Sequence, residues 1–227
     1  TADRACGGGN FSRRFFEQDD EKQEQRPKPV PDVIKGIHLV DFEERYLGKG
    51  IDDFVRQLNY QMVNEYRYKN IIYVGHSRGG LIASRSAQLL SEIKGININI
   101  WGVFSICAPY QTSPLAVKPM AYISNSVWEM GDKKRYLGDL CKTISEKPAC
   151  PYYFVVGTLD WVVPEDGIVP GYLKQHPEDT LYKITEHSHL SILGSTRLKN
   201  FVRERVHSLV ENRKVIEPAS SVIPTIS

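Results

Sequence analysis

The sequence has no apolar run of membrane-spanning length, no internal repeat and no marked excess of either charge. Its 29 basic and 27 acidic residues leave a net charge of +2, which gives no reason to expect binding to nucleic acid or to an anionic membrane surface. It shows no signal-peptide pattern, but it begins at Thr1 rather than Met, so a leader already removed stays an open alternative. Compartment and oligomeric state are undetermined. The 227 residues are enough for one α/β domain with a substantial core.

Cysteine is scarce, with four residues at Cys6, Cys107, Cys141 and Cys150. No spacing of Cys and His resembles a metal site, so we predict neither a metal nor another cofactor. Cys107 lies in an apolar strand pattern and is expected to be a core residue. Cys141 and Cys150 bracket a short polar segment, and a disulfide and two reduced thiols are both compatible with that spacing.

The segment from Ile71 to Ala83 contains the strongest functional pattern. Residues 71–74 are apolar and predict a buried strand, residues 75–79 read Gly-His-Ser-Arg-Gly, and a helical pattern follows. G-x-S-x-G is a loose pattern that also arises by chance. A strand, a sharp turn and a helix are nevertheless the context in which it forms a nucleophile elbow. This context predicts Ser77 as a serine nucleophile.

The chemistry of such an elbow depends on its backbone. We expect Gly75 and Gly79 to remove Cβ atoms that would collide across the turn. The turn also places Ser77 at the N-terminus of the next helix, where backbone N–H groups stabilise negative charge. The N–H of Arg78, directly after the nucleophile, is therefore the expected oxyanion donor.

Strand and helix patterns alternate along the chain. The predicted elements are a strand at 33–40, a helix at 51–68, strands at 71–75, 96–107, 151–157 and 181–184, a helix to about 94 and a closing helix to 212. Alternation of this kind predicts an α/β fold with a mostly parallel sheet and helices on both faces. In such sheets the functional site lies beyond the carboxyl ends of the strands.

Three further segments complete the predicted organisation. Residues 1–30 are expected to be a poorly ordered N-terminal segment, residues 31–212 the α/β domain, and residues 213–227 a disordered tail. Within the domain, residues 118–148 form an irregular insertion. It is either a lid or acyl-binding wall, or a satellite helix packed on the core.

A serine nucleophile needs a base and a carboxylate that orients the base. Asp160 directly follows the strand at 151–157 and is the candidate carboxylate. His187 and His189 lie together between the last strand and the last helix, and only one of them can face Ser77. The remaining histidines are expected to be structural or solvated: His38, His76, His176 and His207.

The pattern as a whole resembles lipases and esterases of the α/β-hydrolase superfamily. Four segments carry the resemblance: the elbow at 75–83, the post-strand loop at 107–116, the acid loop at 157–164 and the histidine loop at 189–195. The last is similar to the H-I-G-L-L-x-S of small bacterial lipases, which implies His189 as the base. The D-H-S-H-I motif of lipase-like deacylases would instead imply His187. The resemblance covers residues 33–212 and is specific to the superfamily rather than to a substrate.

One departure from that family concerns the second oxyanion donor. The family has strands before a His-Gly oxyanion loop, but here no strand pattern precedes residue 33. Residues 7–10, Gly-Gly-Gly-Asn, occupy the corresponding place in chain order, with Cys6 where His would be expected. Either the first strands are lacking from this fold or they belong to a removed segment. The departure puts activity in doubt more than fold.

These observations predict a serine hydrolase that cleaves carboxylic esters, either small molecules or lipids, through Ser77, His189 and Asp160. Two alternatives stay open. One is a hydrolase-fold binding module with little or no turnover, which the missing strands would favour. The other is an acyltransferase that uses the same three residues but a different acceptor from water.

Overall fold

In the part of the chain that the structure describes, four parallel strands form the sheet that carries the site: β1 (Asn70–His76), β2 (Asn99–Ile106), β3 (Tyr152–Gly157) and β4 (Leu181–Ile184), in that spatial order. The computed structural model describes residues 36–40, 48–111, 129–130, 135–163, 167–177 and 181–216. The chain divides into two units, one formed by residues 40–198 and the other by residues 1–39 with 199–227. The sheet and the candidate site both lie in the first.

Five α-helices are described. They are α1 (Ile51–Tyr60), α2 (Arg78–Glu92), α3 (Tyr136–Glu146), α4 (Pro170–Gln175) and α5 (Thr196–Ile216). A π-helix, Gln61–Tyr66, continues α1, and a 3₁₀ helix, Ser191–Gly194, precedes α5. The predicted helix at 51–68 is thus confirmed, with its last turn in π geometry. It ends at Arg67, whose φ of 53° places it in the left-handed region.

Local sequence explains where α1 begins and which face it buries. The Asp53 carboxylate accepts a 2.8 Å hydrogen bond from the backbone N–H of Gly50, which satisfies a donor at the helix start. The Ile51 N–H donates to the Glu129 carboxylate. Apolar side chains at helical spacing then form one buried face: Ile51, Phe54, Val55 and Leu58.

The sheet register explains why the candidate site residues meet. Because all four strands are parallel, their carboxyl ends lie at one edge of the sheet. Ser77 directly follows β1, and Cys107 directly follows β2. Asp160 comes three residues after β3, and His189 lies in the segment that follows β4. The chain therefore delivers four chemically active side chains to one edge.

Helix α3 gives a partial answer about the predicted insertion at 118–148. Residues 112–128 and 131–134 lie outside the described residues, so the prediction for Met120, Ile123, Val127 and Trp128 is not addressed. Residues 136–146, however, form a regular helix, and three of its side chains belong to the core: Leu137, Leu140 and Ile144. This part of the insertion packs on the core through those three side chains, and the choice between a lid and a satellite helix for the insertion as a whole stays a prediction.

The predicted strand at 33–40 is wrong for the residues that the structure describes there. Residues 36–40 are not in a strand. Ile37 and Leu39 keep 45% and 47% of their surface exposed, whereas a paired strand in a buried sheet would cover its apolar face. Residues 33–35 lie outside the described part of the chain.

In the second unit, the described chain consists of residues 36–39 and most of α5. The helix carries buried apolar side chains at the predicted spacing: Phe201, Val202, Val206, Leu209 and Val210. It continues to Ile216, so the first four residues of the predicted tail at 213–227 are helical. The rest of that tail, like residues 1–30, lies outside the described residues.

Candidate active site

Ser77 occupies a strained turn between β1 and α2. Its φ of 56° and ψ of −129° fall in a region that residues with a side chain rarely adopt. Two backbone hydrogen bonds hold this conformation: the Ser77 N–H donates to the Ile106 carbonyl at 2.8 Å, and the Ser77 carbonyl accepts from Gly80 N–H at 2.9 Å. The turn lifts the serine hydroxyl out of the line of β1 and towards the strand ends.

The glycines around Ser77 do not all have the role that the sequence suggested. A Cβ on Gly75 would lie 2.4 Å from the carbonyl oxygen of Gly79, so the turn does require Gly75. A Cβ on Gly79 would meet nothing within 4 Å, which corrects the expectation that it would collide. Gly80 is the second position under constraint, because a Cβ there would lie 2.6 Å from both Ala108 Cβ and Ser105 Oγ.

A cluster of buried hydroxyl groups lies next to Gly80. The Tyr110 hydroxyl lies 2.5 Å from Ser84 Oγ on α2 and 2.9 Å from Ser105 Oγ on β2. All three residues are at most 1% exposed. The cluster joins α2, β2 and the segment after β2, and buried hydrogen bonds of this kind favour a single arrangement.

Asp160 is fixed by hydrogen bonds to both of its carboxylate oxygens. Oδ1 accepts the backbone N–H groups of Val162 at 2.9 Å and Val163 at 2.8 Å. Oδ2 lies 2.8 Å from Nδ1 of His189. The residue is only 7% exposed. A carboxylate held in this way has one orientation available.

His189 lies between Asp160 and Ser77. Its Nε2 is 2.9 Å from Ser77 Oγ, and the residue is 9% exposed. Its loop is tied to the loop of Asp160, because the Leu159 N–H donates to the His187 carbonyl at 3.1 Å. Gly157 permits this contact, since a Cβ there would lie 2.4 Å from the same carbonyl oxygen. The structure thus brings Ser77, His189 and Asp160 into one hydrogen-bonded line.

His187, the alternative base, is not part of that line. Its Nδ1 lies 3.5 Å from Ser191 Oγ in its own loop. The hydrogen-bond geometry therefore favours His189 over His187 as the partner of Ser77.

His76 has a contact that the sequence analysis missed. Its Nε2 lies 2.8 Å from the main-chain carbonyl oxygen of His189, and the two imidazole rings are 4.7 Å apart. Desolvation, followed by the charge of His189, lowers the pKa of His76 to about 4. No local sequence pattern indicates this contact, because the two residues lie 113 positions apart.

Cys107, Asp160 and His189 are close enough to be considered as ligands of one metal ion. The Sγ of Cys107 and the ligand atoms of the other two residues lie within 4.8 Å of one another. The chemistry of the three groups does not fit one. Both oxygens of Asp160 already accept hydrogen bonds. Burial, and then the Asp160 carboxylate, raise the pKa of the Cys107 thiol, whereas a metal ligand must be a thiolate.

The other cysteines of the described chain form no disulfide. Cys141 and Cys150 are reduced, and the Cys141 thiol donates to the Tyr110 carbonyl at 3.5 Å. The sequence left a disulfide and two reduced thiols open for this pair, and in the structure both residues are reduced thiols. Cys6 lies outside the described residues.

Arg78 begins α2, so its backbone N–H is at the N-terminus of that helix, next to Ser77. Its guanidinium carbon lies 5.0 Å from the centre of the Phe54 ring on α1, a cation–π contact that turns the side chain towards α1. Residues 7–10, which the sequence suggested for the second oxyanion donor, lie outside the described residues.

Two comparisons by sequence find no relative. No protein-family model matches the chain, and no curated protein matches it. Among the residues that the structure describes, no helix is both long and apolar enough to cross a lipid bilayer.

Comparison with solved structures identifies the fold. An α/β-hydrolase enzyme from the metagenome of sediments from the lagoon of Mar Chica, Morocco, matches with a TM-score of 0.50 and 18% identity, over 74% of this chain and 73% of that chain. A carboxylesterase structure from the ammonia-oxidizing thaumarchaeon Nitrososphaera gargenis matches with a TM-score of 0.52 and 13% identity, over 73% and 74% respectively. At these identities the similarity establishes the fold alone. The chain has an α/β-hydrolase fold, which confirms the fold predicted from the sequence.

Proposed function

We propose that this protein is a serine hydrolase that cleaves carboxylic esters, with Ser77 as nucleophile, His189 as general base and acid, and Asp160 as the group that orients His189. One observation carries the proposal: the hydrogen-bonded line of Asp160, His189 and Ser77, with distances of 2.8 and 2.9 Å. Its members occur in the order Ser, Asp, His along the chain, as the fold requires.

The first half of the reaction follows from the protonation of His189. Because the Asp160 carboxylate only accepts hydrogen bonds, Nδ1 of His189 carries the proton and Nε2 is left to accept from the Ser77 hydroxyl. As Ser77 Oγ attacks the ester carbonyl, its proton passes to Nε2. The imidazolium that forms is stabilised by the buried carboxylate.

The negative charge that develops on the carbonyl oxygen needs hydrogen-bond donors. The backbone N–H of Arg78 is assigned to this role because it follows the nucleophile at the N-terminus of α2. Loss of one such donor lowers the rate by about a hundred- to a thousandfold.

The second half of the reaction reverses the proton transfers. His189 gives its proton to the leaving alcohol, and an acyl-enzyme remains on Ser77 Oγ. A water molecule then gives a proton to His189 Nε2 as it attacks the acyl carbonyl, and the acid leaves as Ser77 recovers its proton. Ser77 and His189 carry every proton transfer of this scheme, with water as the second reactant.

Apolar side chains beside the site support an ester with an apolar acyl group. Leu159 and Trp161 flank Asp160 in sequence, and Leu190 follows His189. They are 60%, 68% and 72% exposed, so three large apolar side chains adjacent in sequence to Asp160 and His189 are open to solvent. The fold shared with a solved carboxylesterase agrees with this substrate class.

The test is hydrolysis of a series of p-nitrophenyl esters of increasing acyl length by the purified full chain. We expect turnover in the wild type, loss of at least about a thousandfold in kcat for Ser77→Ala, and near-normal kcat for the matched control His187→Ala. Activity that survives Ser77→Ala would refute the proposal. A folded protein that binds these esters without turnover would instead identify a binding module, and an acylated non-water acceptor among the products would identify an acyltransferase.

A further inference from the structure

We propose that His76 is a positioning residue for the general base, because its Nε2–H donates to the main-chain carbonyl oxygen of His189 and fixes that residue relative to Ser77. The inference rests on the proposed function and extends it to a residue outside the Ser-His-Asp line. It concerns two histidines that lie 113 positions apart in sequence and meet at the carboxyl edge of the sheet.

The geometry determines which nitrogen of His76 carries a proton. A carbonyl oxygen only accepts hydrogen bonds, so the 2.8 Å contact requires a proton on Nε2 of His76. His76 is the last residue of β1 and directly precedes Ser77. The strand end that places the nucleophile therefore also holds the backbone of the base.

Within the described residues, the His189 backbone takes no part in the regular hydrogen bonding of a strand or an α-helix. It lies between β4 and the 3₁₀ helix, outside the sheet ladder. Its neighbours are held by short turn contacts, such as Ile192 N–H to the Ser188 carbonyl at 3.2 Å. Side-chain hydrogen bonds to Asp160 and Ser77 orient the ring, whereas the contact with His76 sets the position of the main chain that carries it.

His76 is uncharged, which suits a residue that packs against the general base. Burial and the charge of His189 lower the pKa of His76, and the hydrogen bond to the His189 carbonyl and then the Asp160 carboxylate oppose that effect only in part, so His76 is neutral at pH 7. When His189 becomes an imidazolium during the attack, the ring 4.7 Å away adds no repulsion. A neutral donor can thus position the base without disfavouring its charged form.

The first test compares two substitutions of the same residue. His76→Gln keeps an uncharged N–H donor at a similar reach, whereas His76→Leu removes it. We expect kcat to fall about ten- to a hundredfold in His76→Leu with KM changed less than about threefold, and His76→Gln to recover most of the loss, because small misplacements of a reacting group lower kcat steeply. His207→Leu controls for the loss of a partly buried histidine elsewhere.

The second test does not depend on activity. In ¹⁵N NMR spectra of the full chain at pH 7, with the His76 signals assigned from their absence in His76→Gln, we expect the neutral tautomer with the proton on Nε2. A proton on Nδ1 instead would overturn the inference, and so would a folded His76→Leu variant with wild-type kcat, or a His76→Gln variant as impaired as His76→Leu. Activity that persists in Ser77→Ala would refute the proposed function separately, whatever the His76 variants show.

Discussion

Nδ1 of His189 lies 2.8 Å from Oδ2 of Asp160, a carboxylate whose other oxygen accepts two backbone N–H groups from its own loop. Rotation of the carboxylate would break all three hydrogen bonds. The turn that follows β3 fixes the Asp160 carboxylate, and the carboxylate in turn orients the imidazole of His189.

Asp160→Asn should preserve the fold but remove most of the activity. The amide oxygen of Asn can still accept from Val162 and Val163, but its NH₂ group would then face Nδ1 of His189. That favours the tautomer with the proton on Nε2, which cannot accept from Ser77. We expect kcat to fall by about ten-thousandfold, measured on p-nitrophenyl esters, with an unchanged circular-dichroism spectrum. A fall of less than about tenfold would contradict the role of Asp160.

Two glycines of the elbow should respond differently to the same substitution. Gly75→Ala places a Cβ 2.4 Å from the Gly79 carbonyl oxygen, so it should destabilise the fold by about 1–3 kcal/mol or more. Gly79→Ala meets nothing within 4 Å and lies in the first turn of α2, so it should be neutral or slightly stabilising. Denaturant unfolding of both variants gives the comparison. Equal destabilisation by the two substitutions would show that the turn is built differently.

The lowered pKa of His76 predicts a pH dependence of stability. Its ordinary pKa of 6.5 applies in the unfolded chain, whereas the folded value is about 4. Between these values the unfolded state binds more protons, so the stability of the folded state should fall as the pH drops from about 6.5 to 4. His76→Gln lacks this titration. Over that range we expect the wild type to lose up to about 3 kcal/mol relative to the variant in denaturant unfolding. A pH-independent difference between the two proteins would show that His76 titrates normally.

Cys107 should be unreactive in the folded protein. It is 1% exposed, and burial beside Asp160 raises the pKa of its thiol, which disfavours the reactive thiolate. Cys141, which is partly exposed, provides an internal comparison. With iodoacetamide at pH 8, peptide mass spectrometry should find Cys107 modified only after denaturation and Cys141 modified earlier. Native-state modification of Cys107 at the rate of Cys141 would contradict the buried, protonated thiol.

Local patterns predicted the parts of the site that depend on neighbouring residues. The apolar run before Ser77 and the helical spacing after it defined β1, the turn and α2. The candidate site residues follow strands β1, β3 and β4 in chain order, which placed Asp160 and the two histidines at one edge of the sheet. Periodicity is sufficient for such statements because strands and helices impose it directly.

Contacts between distant segments could not be predicted in the same way. The hydrogen bond of His76 to the His189 carbonyl spans 113 positions, and no local pattern encodes it. The constraint on Gly80 comes from Ser105 on β2 and Ala108 just after it, which are distant in sequence, so the G-x-S-x-G pattern wrongly suggested Gly79. Residues 36–40 have a strand-like composition but are not in a strand. The sequence could not predict this, because apolar alternation does not reveal whether a neighbouring strand is available for pairing.

The central claim is that Ser77 is an activated nucleophile whose base is His189. A fluorophosphonate probe tests it most directly, with peptide mass spectrometry to locate the adduct in the folded full chain. The account predicts rapid labelling at Ser77, lost in His189→Ala and retained in His187→Ala. Absence of an adduct at Ser77, or labelling that persists unchanged in His189→Ala, would contradict it.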